Sequence, residues 1–121
     1  MSYQFYKMMH YWGFFSTFLA VGALSFAKVT RHSFGKSERR MIMIGHGLGL
    51  FALLLGGFGM LAKLQVGTML PGWVAAKLLI WLVLGLSTLA IKRLSINFSK
   101  VLWWSLPFLG TLAGYLAIAK I

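Results

Sequence analysis

Two stretches decide the fold between them: FALLLGGFGML at Phe51–Leu61 and KLLIWLVLGL at Lys77–Leu86. Each is apolar at nearly every successive position. Wound as a helix, it shows apolar side chains all the way round instead of along one stripe. A strand of a membrane β-barrel alternates apolar and polar residues, and neither stretch does so. What fits is helix in lipid, where every backbone N–H and C=O must find its partner inside the segment.

A hydrocarbon core about 30 Å thick needs about 20 apolar residues of helix. Working outward from the two stretches, four segments of that length appear, at about 8–27, 41–62, 73–91 and 101–119. They account for most of the 121 residues, and the composition agrees: 60% hydrophobic against 11% charged. The expectation is an all-α polytopic membrane protein, a four-transmembrane-helix bundle forming a single domain over residues 1–121. No long-period repeat or linker interrupts it. The absence of cysteine rules out disulfides, thiolate metal sites and iron–sulfur clusters.

The formal charge of +11 sets twelve Lys and Arg against one acid, Glu38. In a soluble chain that balance would suggest nucleic acid, but here its distribution follows a membrane rule instead. Lys28, Arg31, Lys36, Arg39 and Arg40 lie between the first two spans, and Lys92, Arg93 and Lys100 between the last two. Positive charge gathered on alternate loops marks those loops as cytoplasmic and places both termini on the other side, periplasmic in a bacterial inner membrane. The same loops have the charge to meet anionic lipid headgroups or an acidic partner surface, although topology alone accounts for them. Ser37 is expected to cap the second helix, with Glu38 in its first turn. The first span also has features of a secretory signal, Lys7 ahead of the apolar run and Ser25-Phe26-Ala27 at its end. The run exceeds a usual signal core and five basic residues follow it, so it is read as a retained helix.

Small residues are expected to direct packing. Gly45, Gly49, Ala52, Gly56 and Gly59 share one face of the second span, and Gly110 and Gly114 give the fourth a similar surface. Such faces let backbones approach closely where lipid supplies no hydrophobic drive. The two faces are expected to meet, within the chain or between copies in a homo-oligomer. Pro107 is expected to kink the fourth span. Tyr3, Tyr6, Tyr11, Trp12 and Trp73 at one interface, and Trp103 and Trp104 at the other, read as membrane anchors.

Polar groups inside spans are costly and therefore candidates for function: His10, His46 and Lys77 first, then Ser16, Thr17, Ser87, Thr88 and Thr111. No carboxylate lies in any span, which disfavours carboxylate-based ion coupling and di-metal sites. A metal clamped between His10 and His46 fails on depth, because the expected topology separates them by roughly 20 Å along the membrane normal. His10 and Lys77 share a depth, and Lys77 lies one helical turn from both Trp73 and Trp81, so a planar ligand would meet a cation and aromatic faces together. The structural alternative is that Lys77 extends its stem toward the interface and His10 only forms a hydrogen bond there. His46, between Gly45 and Gly47, reads as a helix-contact group and His32 as a solvated one.

KMMHYWGFF at the first span, SERRMIMIGHGLGLFALLLGGFGML at the second and PGWVAAKLLIWLVLGL at the third resemble the superfamily of small four-helix membrane proteins that includes the SirB family and HemJ-type protoporphyrinogen oxidases. The HemJ resemblance implies haem b or porphyrin held within the bundle, His10 and Lys77 matching functional residues, and oxidation of protoporphyrinogen IX linked to membrane electron carriers. The chain departs from that pattern at GALSFAKVTRH, which lacks a Pro-Arg element, and at LGLSTLAIKR, which lacks a Tyr-His pair. The SirB resemblance implies a small inner-membrane protein.

Two functional readings follow. In one, the bundle holds haem b or a porphyrin near the outer face, with His10 as metal ligand, Lys77 opposite a propionate, and Trp73 and Trp81 flanking it. In the other it holds no cofactor and is an accessory or structural subunit of a larger membrane complex, joined through its glycine surfaces. Whether the chain is an enzyme stays open on the residues alone. The partners expected are the bilayer and a membrane redox partner or larger complex, and not nucleic acid.

Overall fold

The computed structural model describes residues 2–64 and 72–119. They form four helices, α1 (Tyr3–Val29), α2 (Lys36–Leu64), α3 (Gly72–Arg93) and α4 (Ile96–Ala119), and no strand occurs among them. All four are long and apolar enough to cross a membrane. Each helix runs past its apolar stretch, because a backbone near lipid gains most by satisfying its own hydrogen bonds. At 1.5 Å per residue the 29 residues of α2 extend about 43 Å, so its ends reach the headgroups or the helix tilts.

Local chemistry sets the ends. The Ser2 hydroxyl accepts the Phe5 N–H at 3.2 Å and starts α1. At the other end of α1 the His32 N–H reaches the Ala27 carbonyl and the Arg31 N–H reaches that of Lys28. This is a Schellman closure, with Arg31 in the left-handed position at φ 57° that glycine usually takes. The start of α2 corrects the expected cap. Helix begins at Lys36, so Ser37 is already inside its first turn, and Gly35 precedes it. Glu38 reaches back to accept the Gly35 N–H at 3.0 Å, which is the returning half of a capping box and gives the lone acid a structural task. In α4 the helix continues through Pro107 as one element, with Thr111 Oγ1 donating to the Pro107 carbonyl at 2.8 Å.

The closest packing is between α1 and α2. A methyl group placed on Gly13 would lie 2.6 Å from both the Gly49 carbonyl oxygen and the Leu53 nitrogen, and one on Gly56 would lie 2.7 Å from the His10 nitrogen and the Tyr6 oxygen. Gly49 meets Thr17 in the same way, and Gly59 lies against the Tyr6 ring. Backbone therefore lies directly on backbone along several turns. The expected meeting of the α2 glycines with the α4 pair is thus corrected: Gly49, Gly56 and Gly59 face α1. Gly110 of α4 also faces α1, against the rings of Phe14 and Phe18, while Gly45 and Gly114 have no neighbour within 4 Å of the Cβ position.

The two ends of the bundle differ. Toward the α1–α2 and α3–α4 connections, Val21, Leu84, Ile91, Leu102 and Leu106 form a buried core, with Phe18, Leu24, Leu50, Ile80 and Phe98 packed around it. Outward-facing side chains are apolar and open: Leu19 is 76% exposed and Phe108 75%, as lipid-facing residues are.

Gly13→Ala and Gly56→Ala force α1 and α2 apart and are expected to destabilise the bundle by about 1–3 kcal/mol each. Gly45→Ala and Gly114→Ala meet open space and are expected to be neutral or slightly stabilising. Thermal unfolding of the four variants in detergent micelles checks the contrast.

Candidate functional site

Beyond the core, toward the starts of α1 and α3 and the ends of α2 and α4, the bundle opens into a cavity of about 680 Å³. All four helices line it, and its size is within the 300–1,000 Å³, roughly, of small-molecule and cofactor sites. The space comes from the end of α4, where Gly110, Ala113, Gly114 and Ala117 present almost no side chain. Phe18, Ile80 and Leu84 belong both to the lining and to the core or its margin, so the top of the core is the floor of the cavity.

The four residues singled out in the sequence, His10, Lys77, Trp73 and Trp81, all line this one cavity. The His10 position follows from the glycine seam. With α1 lying on the backbone of α2, the His10 ring reaches across to the Leu53 carbonyl, 2.9 Å from Nδ1. A carbonyl oxygen only accepts, so Nδ1 carries a proton, and in the neutral ring the other nitrogen, Nε2, keeps its lone pair. Gly57 leaves room for the ring, the site of its missing Cβ being 3.5 Å from His10 Cε1 and Nδ1. An imidazole whose Nδ1–H is held by a backbone carbonyl is the arrangement that orients a metal-ligating histidine.

On α3, Lys77, Trp73 and Trp81 occupy successive turns and are each half-buried. Trp81 is tied down, its indole N–H donating to the Leu50 carbonyl of α2 at 3.0 Å. The carbonyls of Leu50 and Leu53, one turn apart on α2, thus position Trp81 from α3 and His10 from α1. Among the described residues no three His, Cys, Asp or Glu come together. A bare metal ion would find one nitrogen ligand here, whereas a metal that carries its own macrocycle needs only one.

His46 belongs elsewhere. It is buried, and its Nε2 donates to the Leu84 carbonyl of α3 at 3.0 Å, below the cavity floor. The two histidines are therefore placed by different carbonyls at different levels, and His46 joins α2 to α3. Of the glycines singled out for packing, Gly49, Gly56 and Gly59 form the α1–α2 seam that sets the His10 register, while Gly110 and Gly114 line the cavity.

Sequence reading passed over three groups. Gly13-x-x-x-Thr17 is the α1 half of the seam, and its small-residue spacing was a readable signal. Phe14 and Phe18, stacked at 4.4 Å, form a wall of the cavity. Lys7 also lines it and had been read only as a flank of the first span. No protein family, curated protein or solved structure compared with this chain matches it.

His46→Ala leaves the Leu84 carbonyl without its α2 partner and opens space beside it. It is expected to lower stability by about 1–3 kcal/mol. Unfolding of the purified variant in detergent measures the loss.

Proposed function

We propose that this protein is a membrane-embedded haem b or porphyrin binder of the SirB/HemJ-like kind, with His10 as the metal ligand. The observation that carries the proposal is the bond from His10 Nδ1–H to the Leu53 carbonyl, in a residue that lines a cavity of cofactor size, so that Nε2 is the nitrogen left to ligate. The donor set suits the group. The oriented imidazole of His10 would hold the metal, Lys77 would offer a positive charge to a propionate, and Trp73, Trp81 and Phe14 would offer aromatic surface. Bound haem would supply one-electron redox chemistry or, with an open coordination position, a site for a small ligand. The protein's part is to orient the ligand nitrogen, exclude water with an apolar floor and offset the propionate charge.

The positive loops support a topology in which the cavity mouth opens on the outer side of a bacterial inner membrane and both termini lie on that side. A redox partner in the membrane would then be met through the lipid-facing sides of the bundle.

A second reading, an accessory subunit of a larger membrane complex, draws support from Gly45 and Gly47. Neither has a neighbour within 4 Å of its Cβ position, so α2 keeps small-residue positions that the other helices of the bundle do not cover.

Absorption spectra of the protein purified in mild detergent, oxidised and dithionite-reduced, with pyridine extraction, separate the readings. The porphyrin reading expects a sharp reduced spectrum and near-stoichiometric haem, lost in His10→Ala and kept in His46→Ala. Equal loss in both variants would sink the single-ligand site. A colourless protein from haem-replete cells that co-purifies with a larger complex supports the subunit.

A further inference from the structure

The cavity holds a second cation that the proposed axial-ligand chemistry does not use. Lys7 lies three residues before His10 on α1 and lines the cavity together with Lys77 of α3. Both helices begin at the mouth: Lys7 is the fifth residue of α1 and Lys77 the sixth of α3. At 1.5 Å per residue each lysine is about 6–8 Å in from the start of its helix, while the floor at Phe18 and Leu84 lies roughly 10–16 Å further along. The charge is therefore gathered at one end of the cavity and the apolar surface at the other.

Neither lysine has an acidic side chain for company. The only one in the sequence, Glu38, is at the opposite end of the bundle, accepting the Gly35 N–H. Lys7 Nζ stands 6.0 Å from the centroid of the Tyr11 ring, at the limit of a cation–π contact, and both lysines are half-buried. Two half-buried ammonium groups facing one apolar space are costly until a ligand brings compensating charge. A ligand with one negative charge answers only one of them.

We propose that the cavity is a receptor for an amphiphilic dianion, with Lys7 and Lys77 each taking one carboxylate at the mouth and the apolar body of the ligand lying on the Phe18–Leu84 floor. The inference rests on the porphyrin reading and deepens it. It sets the orientation of the ligand, carboxylates outward, and makes selection depend on the number of charges and not on apolar fit alone. Lys63, in the last turn of α2 at the same end but exposed, has no part in it.

The test uses the full chain in nanodiscs of zwitterionic lipid and metal-free protoporphyrin IX, its monomethyl ester and its dimethyl ester, with binding followed by fluorescence. Metal-free ligands remove any dependence on axial ligation. Each esterification is expected to weaken binding about five- to tenfold. Lys7→Met is expected to weaken the diacid by a similar factor, about five- to tenfold, while changing the dimethyl ester little. Lys63→Met should leave the whole series as in wild type. Equal binding of all three ligands by the unaltered protein overturns the inference while leaving the porphyrin reading standing, and this comparison needs no variant to fold. A diacid preference that survives Lys7→Met in full removes Lys7 from the site and overturns it as well. Binding of none of the three overturns the inference, and the haem spectra of the purified protein then decide the porphyrin reading separately.

Discussion

The rest of the structure depends on the contact of backbone with backbone between α1 and α2. In lipid the association of two helices gains little from burying apolar surface, so close van der Waals packing and interhelical hydrogen bonds must hold them. Gly13, Gly49 and Gly56 remove the side chains that would separate the two helices, and Gly59 gives way to the Tyr6 ring. That closeness has a chemical result. It brings the His10 side chain of α1 within hydrogen-bond distance of the Leu53 carbonyl of α2. The glycine seam thus fixes helix pairing and the ring orientation of the candidate ligand together.

The other helices complete an asymmetric container. Near the basic connections, Val21, Leu84, Ile91, Leu102 and Leu106 fill the space between α1, α3 and α4. Further along α4 the residues facing inward shrink to Gly110, Ala113, Gly114 and Ala117; the Phe14 and Phe18 rings pack against Gly110, and beyond them a cavity remains among the described residues. A taper in side-chain size along one helix therefore closes the bundle at one end and opens it at the other. The polar groups are sorted by the same division. His46 is buried in the closed half, where its ring nitrogen links α2 to α3, and His10, Lys7 and Lys77 lie around the opening. Two ring N–H links join α2 and α3, the Trp81 indole of α3 to the Leu50 carbonyl of α2 and the His46 imidazole of α2 to the Leu84 carbonyl of α3, across backbones that lie further apart than those of the glycine seam.

A helix carbonyl already accepts one N–H from its own helix but has a second lone pair. Leu50, Leu53 and Leu84 use theirs for Trp81, His10 and His46. With no acid or amide buried among the described residues, the bundle still obtains directional contacts by this means, and in a medium without water such contacts are the available way to satisfy a ring N–H.

The all-α class, the four spans and the residues worth suspecting were determined by the sequence itself, because each rests on a local quantity: the length of an apolar run, or the cost of a polar side chain within one. His10, Lys77, Trp73 and Trp81 could be grouped by depth alone, since depth follows from counting residues along a helix. Which helix faces which could not be counted in that way. Gly49 and Gly110 look alike as small-residue surfaces, and only the tertiary structure decided that both turn toward α1, one meeting backbone and the other the Phe14 and Phe18 rings. The part played by Lys7 was hidden for the same reason. A lysine near the start of a span reads as a flank until the rotation of the helix about its axis is known, and that rotation is set by the partner helix, through contacts that no local stretch of sequence contains.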